Sequence, residues 1–65
     1  MIHFYDLEYL EEEGLEDFSK GDILTIAAPK EREEELFKFC EKNNLELMQV
    51  QDRYYFNVFV DVEVK

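Results

Sequence analysis

The clearest pattern in the chain is a two-residue alternation at its C-terminal end, over Tyr54–Val64. Period two is typical of a β-strand, because successive side chains point to opposite faces of a sheet. One set is wholly apolar and is expected to face the core, whereas the other begins aromatic and ends charged, so that the outer face is only half suited to water. The two sets are Tyr54, Phe56, Val58, Val60, Val62 and Val64, and Tyr55, Asn57, Phe59, Asp61 and Glu63.

Two shorter segments with strand patterns precede it. Leu45–Gln51 is long enough for a strand, and Asp52-Arg53 is expected to form a two-residue hairpin link to the last strand. Asp22–Ala28 is a nearly continuous apolar run that follows a Ser-Lys-Gly turn, which predicts a central strand covered on at least one face.

Between these segments, Pro29–Asn44 predicts a helix. Proline suits the first helical position, acidic residues follow near the positive end of the helix dipole, and the Asn43-Asn44 pair ends the helix. The buried stripe has the spacing i, i+3, i+4 and consists of Leu36, Phe39 and Cys40, with Phe37 at its edge. Strand, helix and strand over residues 22–51 then form a βαβ unit, whose crossover is expected to be right-handed.

The N-terminal residues allow two interpretations. Two short alternations out of phase favour a strand over residues 2–10 with a bulge near Tyr5, followed by an acidic loop or helical turn. The competing interpretation is a helix over Leu7–Glu13, with Asp6 as N-cap and Gly14 as C-cap, because Leu7 and Leu10 are helix-spaced.

These elements predict one α+β domain over residues 1–65, with a mixed sheet of about four strands in the order β-β-α-β-β and one helix packed on one face. A disulfide within the chain is excluded because Cys40 is its only cysteine. We expect a homodimer, since one helix leaves the opposite face of the sheet uncovered. The expected dimer interface contains Tyr55, Asn57 and Phe59.

Charge is distributed unevenly along the chain. Residues 1–19 contain seven carboxylates and no Lys or Arg, whereas the remainder is nearly balanced, so this stretch supplies seven of the ten surplus negative charges. Aromatic and aliphatic residues interrupt it, which separates it from disordered acidic tails. We call the seven carboxylates together the acidic segment: Asp6, Glu8, Glu11, Glu12, Glu13, Glu16 and Asp17.

This charge predicts a basic partner. Nucleic acid and anionic lipid would both be repelled, so neither direct nucleic-acid binding nor membrane association is expected. The chain shows neither a signal-peptide pattern nor an apolar run long enough to span a bilayer, and we expect a cytoplasmic protein. Tyr5, Tyr9 and Phe18 could add uncharged contact area to the interface.

Catalytic motifs are scarce, and we expect no enzymatic activity. His3 is the only histidine and is interpreted as a structural residue of the first strand, and Cys40 lies in the buried stripe, where a thiol is usually inert. We also expect no cofactor and no specific metal site, because the consecutive side chains Glu11, Glu12 and Glu13 point apart and the ligand spacing of an EF-hand is missing.

Carboxylates two residues apart on a strand, or four apart on a helix, are separated by about 6 Å, which is similar to the spacing of phosphates along a nucleic-acid strand. In size, charge and the segment DLEYLEEEGLEDF, the chain resembles the small acidic DNA-mimic proteins of bacteriophages and mobile elements, among them anti-restriction proteins, inhibitors of uracil-DNA glycosylase and some anti-CRISPR proteins. Those proteins have unrelated folds, so no residue roles can be transferred.

The resemblance implies a non-enzymatic inhibitor that occludes the basic site of a nucleic-acid-binding protein in a bacterial host. The alternative function is a small dimeric interaction or regulatory domain that binds a protein partner through its exposed sheet face. In that case the acidity would serve solubility.

Overall fold

A four-stranded sheet with two helices forms the domain in the computed structural model, which describes residues 2–54 and 56–65, with the backbone alone for residue 2 and residues 52–54. The strands are β1 (Ile2–Asp6), β2 (Ile23–Pro29), β3 (Leu45–Tyr54) and β4 (Asn57–Val64). The helices are α1 (Leu7–Glu13) and α2 (Glu33–Lys42), and a short 3-10 turn, Lys30–Arg32, precedes α2.

The strand order in the sheet is β1-β2-β4-β3. β1 and β2 are parallel, whereas β4 is antiparallel to both β2 and β3. The predicted α+β fold with a mixed sheet is therefore confirmed, and β2 is an interior strand as expected. β2 and β3 are parallel, as in a βαβ unit, but β4 lies between them, so the unit is split.

Both helices cover the same face of the sheet. Apolar side chains from α1, α2, β2, β3 and β4 form a single buried cluster, and full burial of a leucine contributes about 1.5–3 kcal/mol. The predicted stripe of α2 is confirmed, since Leu36 and Cys40 are buried and Phe37 and Phe39 pack partly against the core. The cluster consists of Leu7, Leu10, Leu24, Ile26, Ala28, Leu36, Cys40, Leu45, Val58, Val60 and Val62.

At the N-terminus, the prediction of a strand over residues 2–10 with a bulge is wrong, and the competing helix over Leu7–Glu13 is correct. β1 pairs with β2 without a register shift and ends at Asp6. An extended chain would place Leu7 and Leu10 on opposite faces, whereas a helix buries both in one core. Gly14, at φ 77°, ends the helix and donates its N–H to the carbonyl of Leu10 at 2.9 Å.

Pro29 is not the first helical residue, contrary to the prediction. It is the last residue of β2, where it pairs with Asn57, and its ψ of 148° keeps the backbone extended. Proline is tolerated at this position because the ladder ends there. The helix proper starts four residues later, after the 3-10 turn.

The predicted hairpin link at Asp52-Arg53 is also wrong, because β3 continues to residue 54 and the connection follows it. Two register shifts, after Leu47 and after Val50, place extra residues in β3 and extend its pairing with β4. Phe56, predicted to face the core, precedes β4 and is 80% exposed. Simple alternation did not anticipate these bulges.

The sheet face opposite the helices carries the predicted outer set of β4. Asn57 is exposed, Phe59 is half-buried, and Tyr55 lies outside the described residues. Among the described residues, no helix has the length and apolar character needed to cross a bilayer.

Candidate binding surface

Helix α1 positions much of the acidic segment. Its inward side is anchored by Leu7 and Leu10, which are 0% and 1% exposed, and the intervening residues point toward solvent. A helix of seven residues is not stable in isolation, so packing on the sheet maintains it. Glu8 and Glu12 are one turn apart and about 6 Å from each other.

Six of the seven carboxylates of the acidic segment are exposed and have no ion-pair or hydrogen-bond partner within the part of the chain that the structure describes. Glu11 is the exception. Nη2 of Arg32 donates to Oε1 of Glu11 at 2.9 Å and to Oε2 at 2.8 Å. Within the described residues, the negative charge of the segment is therefore compensated only at Glu11.

Arg32 links α1 to the beginning of α2. Besides Glu11 it contacts Glu35, with Nη2 and Nε at 2.8 and 3.1 Å from Oε2. The hydrogen bonds of Arg32 raise the pKa of its guanidinium above the already high value of a free arginine. The bonds to Glu35 have the larger effect, and those to Glu11 the next largest. Conversely, the hydrogen bond and charge of Arg32 lower the pKa of Glu35.

An open groove of about 810 Å³ lies where β1 and β2 end and α1 begins. Four carboxylates of the acidic segment line it, namely Asp6, Glu8, Glu12 and Glu13. Apolar side chains complete the walls, and Arg32 lies among the lining residues. Glu16 and Asp17 do not line the groove, because they belong to the turn that follows Gly14. The structure therefore brings four of the seven predicted carboxylates to one concave site.

The two tyrosines predicted to contact a partner differ in exposure. Tyr9 lines the groove and is 42% exposed. Tyr5 is half-buried, and its ring packs against Tyr9, Phe18 and His3 at centroid distances of 5.3, 5.2 and 6.2 Å. His3 lies in β1, and its ring contacts those of Tyr5 and Phe18.

Sequence reasoning missed six residues that line the groove: Phe4, Leu7, Ala27, Ala28, Pro29 and Arg32. Phe4 lies on the uncovered sheet face, 62% exposed, with its ring centroid 5.9 Å from that of Phe59. The alternation of β1 could have placed Phe4 opposite Tyr5, but its neighbour on β4 depends on the strand order. Arg32 contacts α1 only because both helices cover the same sheet face.

The polar and thiol groups that are buried or half-buried within the described residues have structural surroundings. Burial raises the pKa of the Cys40 thiol to about 11, which keeps it protonated at neutral pH. Thr25 donates to Oδ1 of Asp61 at 2.7 Å, and Gln51 donates to Oδ2 at the same distance, so these polar groups are paired with one another. Among the described residues, no group of three or more His, Cys, Asp or Glu side chains is placed to hold a metal ion.

Comparison with known proteins adds no family to this picture. A scan of the chain against protein-family models finds no match, and neither do searches of curated proteins and of solved structures. We therefore infer function from the surface itself.

Proposed function

We propose that this protein is a non-enzymatic inhibitor that binds the basic, nucleic-acid-binding site of another protein and occludes it. The observation that carries the proposal is the set of six exposed carboxylates for which the described part of the chain supplies no cation. A basic partner would supply the missing charge. Following the resemblance to DNA-mimic proteins, we propose that the target is a nucleic-acid-handling protein of a bacterial host. Proteins of restriction and CRISPR systems belong to this class.

The spacing of the carboxylates supports mimicry of a phosphate backbone. Glu8 and Glu12 repeat at about 6 Å along one face of α1, and Asp6 and Glu13 add carboxylates near its two ends that point in other directions. A groove that accepts consecutive phosphates through Lys and Arg would meet carboxylates at similar intervals. Burial of Leu7 and Leu10 holds this row on the domain before binding, which reduces the entropy lost on association.

The asymmetry of the charge favours binding over simple solubility. A surface that serves solubility mixes both signs, as α2 does, where Lys38 lies 3.8 Å from Glu34. Like charges concentrated in one segment instead repel one another and destabilise the fold. They would also steer a basic partner, so association should be fast and sensitive to salt.

The test is competition for DNA. Proteins captured from a bacterial lysate at low salt would be identified and purified, and labelled DNA bound to each would be titrated with this protein. We expect displacement of the DNA, with an inhibition constant that weakens steeply as salt rises. The variant Glu8→Gln/Glu12→Gln/Glu13→Gln should lose most of the effect.

The matched control is Glu31→Gln/Glu34→Gln/Glu41→Gln, which removes the same charge from exposed positions in the 3-10 turn and α2. It should inhibit nearly as well as the original protein. If both variants lost inhibition equally, net charge alone, and not the position of the carboxylates, would explain the inhibition. Absence of any displacement would refute the proposed inhibition.

A second candidate function is favoured by the uncovered sheet face. The exposed ring of Phe4 beside Phe59 forms an apolar patch that the helices leave open. In this candidate the chain is a small dimeric interaction or regulatory domain that binds a protein partner through its exposed sheet face, with Tyr55, Asn57 and Phe59 at the dimer interface, and its acidity serves solubility. Light scattering at micromolar concentration tests the dimer, because a mass near the 7.9 kDa of one chain would contradict it. The variant Glu8→Gln/Glu12→Gln/Glu13→Gln distinguishes the two candidates, since in this one partner binding should be largely unchanged.

A further inference from the structure

We propose that the groove where β1 and β2 end binds an arginine side chain of the partner and selects it over lysine. This inference rests on the proposed function, since it names the chemistry by which the acidic segment recognises a basic protein. The groove combines two features that a row of surface carboxylates alone lacks. It has aromatic walls, and it is concave.

The aromatic walls come from both sheet and helix. Phe4 on β1 and Phe59 on β4 are neighbours, with ring centroids 5.9 Å apart, and Tyr9 on α1 also lines the groove. Phe4 and Tyr9 are 62% and 42% exposed, so their rings are accessible to a ligand. A cation over such a ring is attracted by the negative face of the π-system.

The rim of the groove is anionic. Asp6, Glu8, Glu12 and Glu13 all line it. Asp6 occupies the N-cap position of α1, yet its side chain makes no capping hydrogen bond. Within the described residues its carboxylate therefore has no partner, and the same holds for Glu8 and Glu12.

Arg32 does not neutralise the negative charge of the rim. It lines the groove, but its guanidinium already contacts Glu11 at 2.8 Å and Glu35 at 2.8 Å, neither of which lines the groove. Its positive charge is thus compensated by carboxylates outside the site. None of the four carboxylates of the rim is paired with Arg32, so their charge is available to a ligand.

Arginine fits this combination better than lysine. A guanidinium is planar, stacks on aromatic rings and donates two parallel hydrogen bonds to a carboxylate, whereas an ammonium is compact and strongly hydrated. The aliphatic part of the arginine side chain can lie along apolar wall residues such as Ala27 and Pro29. The charge and shape of the groove therefore match an arginine side chain carried by a segment of the partner protein.

The experiment compares two probes, a capped hexa-arginine peptide and a capped hexa-lysine peptide of equal charge. Their dissociation constants for the full chain would be measured by calorimetry at about 150 mM salt, where long-range attraction is largely screened. We expect hexa-arginine to bind at least about fivefold more tightly. The variants Phe4→Leu and Tyr9→Leu should each weaken hexa-arginine binding by about three- to tenfold and hexa-lysine binding much less.

Circular dichroism would show that both variants fold, which is expected because the replaced rings are exposed. The control Glu34→Gln/Glu41→Gln changes exposed acids outside the groove and should leave the preference for arginine unchanged. Equal binding of both peptides, or insensitivity to both ring variants, would overturn the arginine site and leave the proposed function standing. If neither peptide bound even at low salt, both the arginine site and the proposed function would be overturned.

Discussion

Replacing Leu10 by alanine should remove one of the two anchors of α1 and destabilise the whole domain. Leu10 is 1% exposed and belongs to the single buried cluster. The substitution deletes three buried carbon atoms, which at about 0.8 kcal/mol for each methylene amounts to about 2.4 kcal/mol. The cavity left behind does not close completely, so we expect a total loss of about 3–4 kcal/mol in the free energy of unfolding.

This loss is large for a small domain. At about 0.05–0.15 kcal/mol for each residue, a chain of 65 residues has a total stability of roughly 3–10 kcal/mol. Urea unfolding followed by circular dichroism would measure the change, and the thermal midpoint should fall by about 12 °C or more. Because α1 carries Glu8 and Glu12, binding of a basic partner should weaken in parallel.

Leu47→Ala is the matched control. It deletes the same atoms at a position on β3 that is 45% exposed, and we expect a loss below about 1.5 kcal/mol. If Leu10→Ala destabilised the protein no more than Leu47→Ala, the packing of α1 against the sheet through Leu10 would be refuted.

Three further predictions concern polar groups. Asp61→Ala leaves the buried Thr25 hydroxyl without its acceptor, and urea unfolding should show a loss of about 1–3 kcal/mol in the free energy of unfolding. Asp61→Asn keeps an acceptor oxygen and should cost clearly less. Equal losses in the two variants would contradict the role of Asp61 as the acceptor for Thr25. Burial raises the pKa of the Cys40 thiol to about 11, above the roughly 8.5 of an unfolded cysteine. The stabilisation that this pKa difference gives the folded state is therefore fully present below about pH 8.5 and is lost as pH rises through about 11. Cys40→Ala should lack this part of the alkaline decline in urea titrations, and identical pH profiles would rule the contribution out. Finally, Arg32→Gln should raise the pKa of Glu35 toward the ordinary value in an NMR titration, and an unchanged pKa would argue against the Arg32 contact.

The elements that could be predicted from sequence are those with long, regular patterns. The alternation at Val58, Val60 and Val62 identified the core face of β4, and the spacing of Leu36 and Cys40 identified the buried side of α2. Boundaries were less accurate because they depend on pairing. The bulges that lengthen β3, and the ladder position of Pro29, arise from contacts with β4 that no local pattern contains.

The candidate site shows the same division. Its charge could be read from the sequence, because Asp6, Glu8, Glu12 and Glu13 belong to one acidic segment. Its concave shape and aromatic walls could not, because Phe4 and Phe59 are 55 positions apart in the chain and meet only through the strand order β1-β2-β4. Pairing of Glu11 with Arg32, 21 positions away, was equally inaccessible.

By itself, the sequence determined that this chain forms one small α+β domain with its excess negative charge in the N-terminal segment, because periodicity and charge are properties of neighbouring residues. The tertiary structure decided which carboxylates share a groove, which one is neutralised by Arg32, and which aromatic rings remain exposed beside them. Those outcomes depend on how distant segments pair and pack. Strand order and register bring together residues that are far apart along the chain.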